Sequence, residues 1–290
     1  MSLFLIVAAI LPVIFLGMYI YKKDTNKEPR GMLAKLFFMG VVICIPVIIV
    51  ELILEIFLEA VEGDPFIYIF ISNFVAIALV EEFFKWLVTK KFGYNSKEFD
   101  EIYDIIVYSV FASLGFACFE NIGYVLGNGL GVAIIRAIIS VPGHVCFGIF
   151  MGYYLSKAKV NSLNGNNELY KKNLFLSILI PSLFHGFFDA FLTAGSFYIL
   201  LFLALHITQV ICCFKIIGKV SKMQQSITNN VKEGNIVTDG AGNISYNTSN
   251  IIGQQQVVKF CPICGRNVEG YNFCPSCGFK LKDYGNNNQQ

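Results

Sequence analysis

Residues 74–88 read FVAIALVEEFFKWLV, an apolar stretch that is interrupted by Glu81, Glu82 and Lys85. The stretch lies within a predominantly apolar run over 66–90, which is long enough to cross a bilayer as a helix. A charge near the bilayer centre costs at least about 2.5–3.5 kcal/mol on insertion scales. Three ionisable residues in such a helix therefore indicate a functional site within a membrane.

The composition assigns the whole chain to a lipid environment. Its 290 residues are 55% hydrophobic and only 14% charged, which is too apolar for a domain whose surface faces water. The net charge is +2 and no concentrated basic patch is present. We expect no nucleic-acid partner, because binding phosphates requires clustered lysines and arginines.

Apolar runs long enough to span a bilayer occur seven times. The predicted fold is therefore an all-α membrane domain over residues 1–220. The first run lacks the basic region and cleavage site of a signal peptide, so we expect it to be retained as a helix. The runs cover 2–21, 32–60, 66–90, 104–127, 130–156, 174–194 and 197–218.

Along the chain, connections that contain lysine or arginine alternate with connections that contain neither. Basic connections stay on the cytoplasmic side of a membrane. We therefore predict an N-terminus outside and a C-terminal tail in the cytoplasm. The basic connections lie around 22–35, 90–97 and 157–172, and the connections without lysine or arginine lie at 62–65, 127–131 and 194–196.

The C-terminal tail predicts a flexible linker followed by a small zinc ribbon. Residues 221–257 are rich in Asn, Gln, Gly and Ser and have no sustained apolar period, as in a flexible linker. Residues 258–284 contain two Cys-x-x-Cys-Gly knuckles, which are typical of structural zinc. Two disulfides are the alternative, but a reducing cytoplasm favours zinc. We expect this ribbon to bind a protein or to sense rather than to catalyse. The four zinc ligands are Cys261, Cys264, Cys274 and Cys277.

Four successive helices carry the ionisable residues that we predict to form the catalytic site. Within one helix, residues four apart share a face, as do Glu81 with Lys85 and His185 with Asp189. Adjacent glutamates point about 100° apart, so one is expected in a cavity and the other against Lys85 or a facing helix. The predicted catalytic set is Glu81, Glu82, Lys85, Glu120, His144, His185 and Asp189.

Helix breakers stand beside both histidines of this set. Pro142 and Gly143 precede His144, and Pro181 lies one turn before His185. Lipid tolerates irregular backbone only where protein or a water-filled cavity satisfies it. The breakers therefore indicate a hydrated pocket at the two histidines.

Residue counts from the basic connections test whether these groups can meet. His144 and His185 lie at one level, whereas Glu82 lies roughly 8 Å closer to the cytoplasmic boundary at a rise of about 1.5 Å per residue. Structural interpretations compete with a catalytic role at Glu120 and apply to several further residues. Glu120 and Arg136 can pair across a helical hairpin, and the solitary His206 is expected to be a packing residue. Glu51, Glu55 and Glu59 form a stripe that is expected to be a solvated or snorkelling face.

Taken in order, the motifs resemble those of the PrsW family of bacterial intramembrane proteases, which is distantly similar to the CAAX-processing and bacteriocin-processing membrane proteases. E-E-x-x-K stands at 81–85, F-x-x-x-E at 116–120, and the histidine motifs at His144 and 185–189. The zinc ribbon is not part of the family core. The resemblance implies a multi-pass enzyme of the bacterial plasma membrane that cleaves membrane-anchored proteins, with first-site cleavage of an anti-sigma factor in stress signalling as one expected reaction.

The residues are compatible with two versions of peptide hydrolysis. Glu81 or Glu82 would act as general base on a water, and His144 or His185 would position it or stabilise the oxyanion. In one version these groups also hold a catalytic metal, a second metal besides the ribbon zinc. In the other version a desolvated glutamate works without a metal. The sequence contains no H-E-x-x-H motif, which would have favoured the version with a metal.

A non-enzymatic protein is the competing class. Buried Glu, His and Asp residues also build proton paths. The alternatives are an ion-coupled carrier, or a membrane sensor, with the zinc ribbon as an interaction module.

Overall fold

The computed structural model describes most of the chain, and within it the membrane domain is helical throughout. Seven helical stretches are long and apolar enough to cross a membrane, so the predicted all-α fold with seven spans is confirmed. The described residues are 2–24, 26–59, 64–96, 98–99, 101–232, 236–238, 244–246, 268 and 273–274. The spans are Ser2–Lys23, Arg30–Glu59, Ile67–Tyr94, Ile102–Asn128, Leu130–Ser162, Asn167–Thr193 and Ser196–Ser221.

Ten α-helices and two short strands form the regular structure of the described residues. Two π-helical segments, Ser72–Ala78 and Thr89–Tyr94, flank the fifth helix, and a 3₁₀ turn lies at Ser196–Tyr198. The helices are α1 (Ser2–Lys23), α2 (Arg30–Val42), α3 (Cys44–Glu59), α4 (Pro65–Ile71), α5 (Leu79–Val88), α6 (Ile102–Asn128), α7 (Leu130–Ile138), α8 (Ser140–Leu163), α9 (Asn167–Thr193) and α10 (Ile199–Lys232). The strands are β1 (Ile236–Thr238) and β2 (Ile244–Tyr246).

Two spans are broken just before a proline. The second span breaks at Ile43 and the fifth at Ile139, so each consists of two helices. Pro46 and Pro142 each stand third in the helix that follows. Proline is tolerated there, because backbone N–H groups of a first helical turn have no partner within the helix.

Helix α6 is the centre of the bundle. In the most hydrophobic 18-residue stretch of α6, 83% is buried, against 17–50% in the corresponding stretches of the other six spans. It packs against α1, α2 and α8, and α8 packs in turn against α9. Gly148 and Gly152 permit the close approach of α8, since a Cβ atom at Gly148 would lie 3.0 Å from the Cα of Val110 and one at Gly152 would lie 2.8 Å from the Ile105 carbonyl oxygen.

The C-terminal part differs from the predicted linker. Helix α10 continues to Lys232, because residues 219–232 contain neither glycine nor proline to end it. Strands β1 and β2 then pair antiparallel, with Ile236 opposite Tyr246. The division into membrane domain, linker and ribbon stays a prediction.

Part of the predicted ribbon contacts the membrane domain. The side chain of Asn164, between α8 and α9, donates to the Phe273 carbonyl at 2.9 Å and accepts from the Phe273 N–H at 2.6 Å. The neighbouring Cys274 is fully buried. The other three predicted zinc ligands, Cys261, Cys264 and Cys277, lie outside the described residues.

Candidate active site

Lys85 is the centre of a buried ion cluster on α5. Its Nζ lies 2.8 Å from Oε2 of Glu81, 2.8 Å from Oε1 of Glu82 and 3.2 Å from Nδ1 of His144. Lys85 and Glu82 are fully buried, and Glu81 is 6% exposed. The lysine therefore pairs with both carboxylates rather than with one, which neutralises charges that lipid or a dry core would otherwise penalise.

Two π-helical segments, Ser72–Ala78 and Thr89–Tyr94, flank the helix that carries this cluster. The helix does not end near Lys90 but continues through the second π-helical segment to Tyr94. The ammonium of Lys90 lies over the Tyr94 ring, 3.4 Å from its centroid. The offset expected from residue counts does not keep these groups apart, since Nδ1 of His185 lies 3.1 Å from Oε1 of Glu82. π-helical turns often accompany functional sites.

Gly186 lets α9 pack closely against the first π-helical segment, Ser72–Ala78. A Cβ atom at Gly186 would lie 2.6 Å from Cδ2 and 3.1 Å from Cα of Phe74, so only glycine permits the observed approach. The preceding residue, His185, is thereby placed with Nδ1 3.1 Å from Oε1 of Glu82 and 3.9 Å from Oε2 of Glu81.

The two histidines are held in the same way. Each directs Nδ1 toward the α5 cluster and Nε2 toward a carboxylate. Nε2 of His144 lies 2.9 Å from Oε2 of Glu120, and Nε2 of His185 lies 3.1 Å from Oδ2 of Asp189. The predicted contact between His185 and Asp189 is thus formed. The two imidazole centroids are 5.5 Å apart.

The donor chemistry at the centre fits a metal ion. Glu81, His144 and His185 can each present a ligand atom within 4.8 Å of the others. Two imidazoles and one carboxylate form the ligand set of several catalytic zinc sites. Carboxylates on the far ring nitrogens are the usual outer partners of metal-bound histidines.

An outer layer of polar residues supports His144. Nη2 of Arg136 lies 2.9 Å from Oε2 of Glu120, and Nε of Arg136 donates to Oδ1 of Asn121 at 2.9 Å. The Asn121 amide donates to the carbonyl of Ala9 in α1 at 2.8 Å. The ion pair expected across the hairpin is therefore present, and the same Glu120 oxygen also contacts His144.

Aromatic rings enclose the cluster. Phe147 stacks on His185 with centroids 4.6 Å apart and planes 20° apart. The Phe116 ring lies 4.2 Å from Nζ of Lys85. Phe147 was missed by sequence reasoning, although its position three residues after His144 places both on one helix face.

A cavity of about 800 Å³ opens onto the site, within the usual size range for ligand pockets. Glu82 and Lys85 lie behind its wall. The cavity extends to Asn128 and Thr193, at the helix ends next to connections without lysine or arginine. Its lining includes Glu81, Glu120, His144, His185 and Asp189.

Two residues of the acidic stripe on α3 also line this cavity. Glu51 and Glu55 are among its lining residues, and Oε1 of Glu51 is buried without a hydrogen-bond partner among the described residues. Glu51 therefore belongs to the wall of the active-site cavity, which the sequence did not predict. His206 lies apart, stacked on Phe202 with planes 9° apart, as expected of a packing residue.

The fold and the site define a class. A bundle of membrane-spanning helices that encloses two histidines and several carboxylates beside a cavity has the parts of an intramembrane hydrolase.

The chain belongs to the PrsW family. The model of that family, described as PrsW family intramembrane metalloprotease, matches residues 28–216. Protease PrsW of Oceanobacillus iheyensis is 41% identical over 196 residues, which are 67% of this chain and 85% of the relative. Protease PrsW of Bacillus subtilis is 40% identical over 193 residues, 66% and 84% of the two chains. Protease PrsW of Clostridioides difficile is 40% identical over 195 residues, 65% and 79% of the two chains. No solved structure matches the chain.

This membership gives the activity. The protein is an intramembrane endopeptidase that acts on membrane proteins. Membership of this family therefore supports the enzymatic interpretation of the sequence over an ion-coupled carrier or a membrane sensor.

Proposed function

We propose that Glu81, His144 and His185 hold a catalytic metal ion. The observation that carries this proposal is the shared orientation of the histidines, with Nδ1 inward and Nε2 on Glu120 or Asp189. The family's description as metalloproteases supports it. When bound, the metal would polarise the scissile carbonyl and provide an activated water at neutral pH.

Glu82 is the proposed general base. Its Oε1 is fixed by Lys85 and His185, whereas Oε2 is buried without a hydrogen-bond partner among the described residues. Oε2 would therefore accept the proton of a water that lies between Glu82 and the cavity. Lys85 would hold Glu82 in place and balance its charge.

Glu120 and Asp189 are proposed as positioning residues. Each accepts from the Nε2–H of one histidine and leaves its Nδ1 directed inward. Such outer partners fix the tautomer and ring orientation of a ligating histidine.

Metal analysis of full-length variants in detergent tests these assignments. The variants are compared in a Cys261→Ser, Cys274→Ser background, so that the tail contributes no zinc. The background protein and Glu82→Gln are expected to retain one metal ion, whereas Glu81→Gln and His185→Ala lose it. His206→Ala is the matched histidine control. A background protein without metal would contradict the metal site and favour hydrolysis by a glutamate alone.

The proposed setting is a bacterial plasma membrane with the N-terminus outside and the tail in the cytoplasm. The basic connections support this orientation. The cavity would then extend toward the outer face, where it would receive a segment of a membrane-anchored protein, with an anti-sigma factor as one candidate. Labelling a cysteine placed at Asn128 and one at Asn166 with an impermeant reagent on intact cells tests the orientation, because only the first should react.

The tail is proposed to be a structural zinc ribbon with Cys261, Cys264, Cys274 and Cys277 as ligands. The spacing of the cysteines and the burial of Cys274 support this. Such a ribbon would bind a protein, and the contact of Phe273 with Asn164 provides one site on the membrane domain itself.

A further inference from the structure

An apolar groove lies between α1 and α2 and shares no lining residue with the active-site cavity. Both helices pack on α6 but make few contacts with each other, and the space between them measures about 410 Å³. Ile14 and Met18 form one wall, Leu33 and Phe37 the other, and Leu114 of α6 lies at its floor. The groove is distinct from the cavity that opens onto the histidines.

One cation lines this groove. Arg30, the first residue of α2, is exposed and is the charged residue among the groove-lining residues that the structure describes. Across the described ranges no carboxylate lies within ion-pair distance of its guanidinium. The nearby Lys27 is already engaged, since its Nζ donates to the carbonyls of Tyr21 and Lys22 at 2.8 and 3.3 Å. Arg30 therefore offers free donors at the end of an apolar channel.

The groove has the length of one membrane leaflet. At about 1.5 Å per residue, its lining on α1 from Ile10 to Tyr21 extends roughly 16 Å. Half of a hydrocarbon core of about 30 Å is about 15 Å. The arginine stands at the end of the groove next to the basic first connection, where anionic headgroups attract cations.

We propose that this groove binds one anionic phospholipid. An acyl chain lies between α1 and α2, and the phosphate accepts paired hydrogen bonds from the Arg30 guanidinium, a geometry that a planar fork of donors favours. The lipid would fill the space between two helices that touch each other little. Charge complementarity selects this occupant over a zwitterionic lipid or an apolar peptide.

Native mass spectrometry of the full-length protein tests the proposal. The protein is exchanged into detergent micelles that contain equal amounts of phosphatidylglycerol and phosphatidylcholine with the same acyl chains. Wild type is expected to retain one phosphatidylglycerol with a preference of about fivefold, the value expected for one basic residue near the surface. Arg30→Gln should abolish the preference, and Arg30→Lys, which keeps the charge but not the paired donors, should keep only part of it.

Two further variants separate charge from shape. Lys35→Gln removes the same charge from the same helix, but Lys35 lies over the Phe92 ring outside the groove, so the preference should persist. Ala34→Phe should fill the groove and reduce retention of both lipids, because Ala34 is exposed and lines the groove. Thermal unfolding in detergent confirms that each variant is folded.

Three results would overturn the proposal. Equal retention of the two lipids by wild type would mean nonspecific annular lipid. An unchanged preference in Arg30→Gln would place the anion elsewhere. Displacement of phosphatidylglycerol by an equal concentration of inorganic phosphate would mean that the groove contributes nothing to binding.

Discussion

The polar cluster has two layers that differ in their access to water. In the inner layer, Glu82 and Lys85 have no exposed side-chain surface, and each charge is balanced by protein groups alone. In the outer layer, the side chains of Glu120 and Asp189 are each 25% exposed beside the cavity. The inner layer therefore determines stability as well as chemistry, whereas water can compensate for losses in the outer layer.

The largest effect is expected from Lys85→Met, which breaks the inner layer. Two buried carboxylates lose their counter-ion, and removing one partner of a buried ion pair costs about 3–5 kcal/mol. We expect a lower unfolding temperature in detergent and loss of proteolysis. Lys91→Met, at an exposed lysine nearby, is the control and should unfold like wild type. Normal stability of Lys85→Met would show that the two layers do not differ as described.

Glu82→Gln should separate stability from chemistry within the inner layer. The amide keeps the shape of the side chain and a partner for Lys85 but cannot take up a proton. Loss of a general base typically costs about 10²–10⁴ in rate. Cleavage of a reconstituted membrane-anchored substrate should fall by that factor while metal content stays unchanged. Loss of the metal instead would assign Glu82 to the ligands.

Asp189→Asn tests the outer layer with a smaller expected effect. The asparagine can still contact Nε2 of His185 but carries no charge, and changes in such outer partners typically cost about 10–100-fold in metal affinity or activity. A metal titration of the apo-protein, followed by activity, measures this loss. Thr193→Val, at another cavity-lining position one turn further along α9, is the control. A fold as unstable as that of Lys85→Met would remove the distinction between the layers.

The existence of this cluster was predictable because its signals are local. A bilayer-length apolar run is visible without any tertiary information, and so is the cost of placing Glu81, Glu82 and Lys85 inside it. The spacing of His185 and Asp189 predicted their contact, which the structure contains.

Properties that depend on packing were not predictable. An acidic stripe has the same pattern whether it faces bulk water or a cavity, so the sequence could not assign Glu51 to the active-site cavity. Residue counts alone could not predict the contact between Glu82 and His185, because it depends on the close packing of α9 at Gly186 and on the reach of the side chains. Phe147 shares a helix face with His144, but among 28 phenylalanines this spacing did not single it out.

The smallest effect is expected from Arg136→Gln at the rim of the outer layer. Glu120 would keep its contact with His144, and the cavity would hydrate the carboxylate that loses its ion pair. Partly exposed ion pairs contribute about 1 kcal/mol or less, so we expect activity to fall about fivefold or less with little change in unfolding temperature. Arg136→Lys retains the charge but cannot contact Glu120 and Asn121 together. Its activity should lie between that of wild type and that of Arg136→Gln. A loss as large as that of Asp189→Asn would mean that Arg136 contacts the substrate directly and does more than orient Glu120, and a KM increase at constant kcat would identify that role.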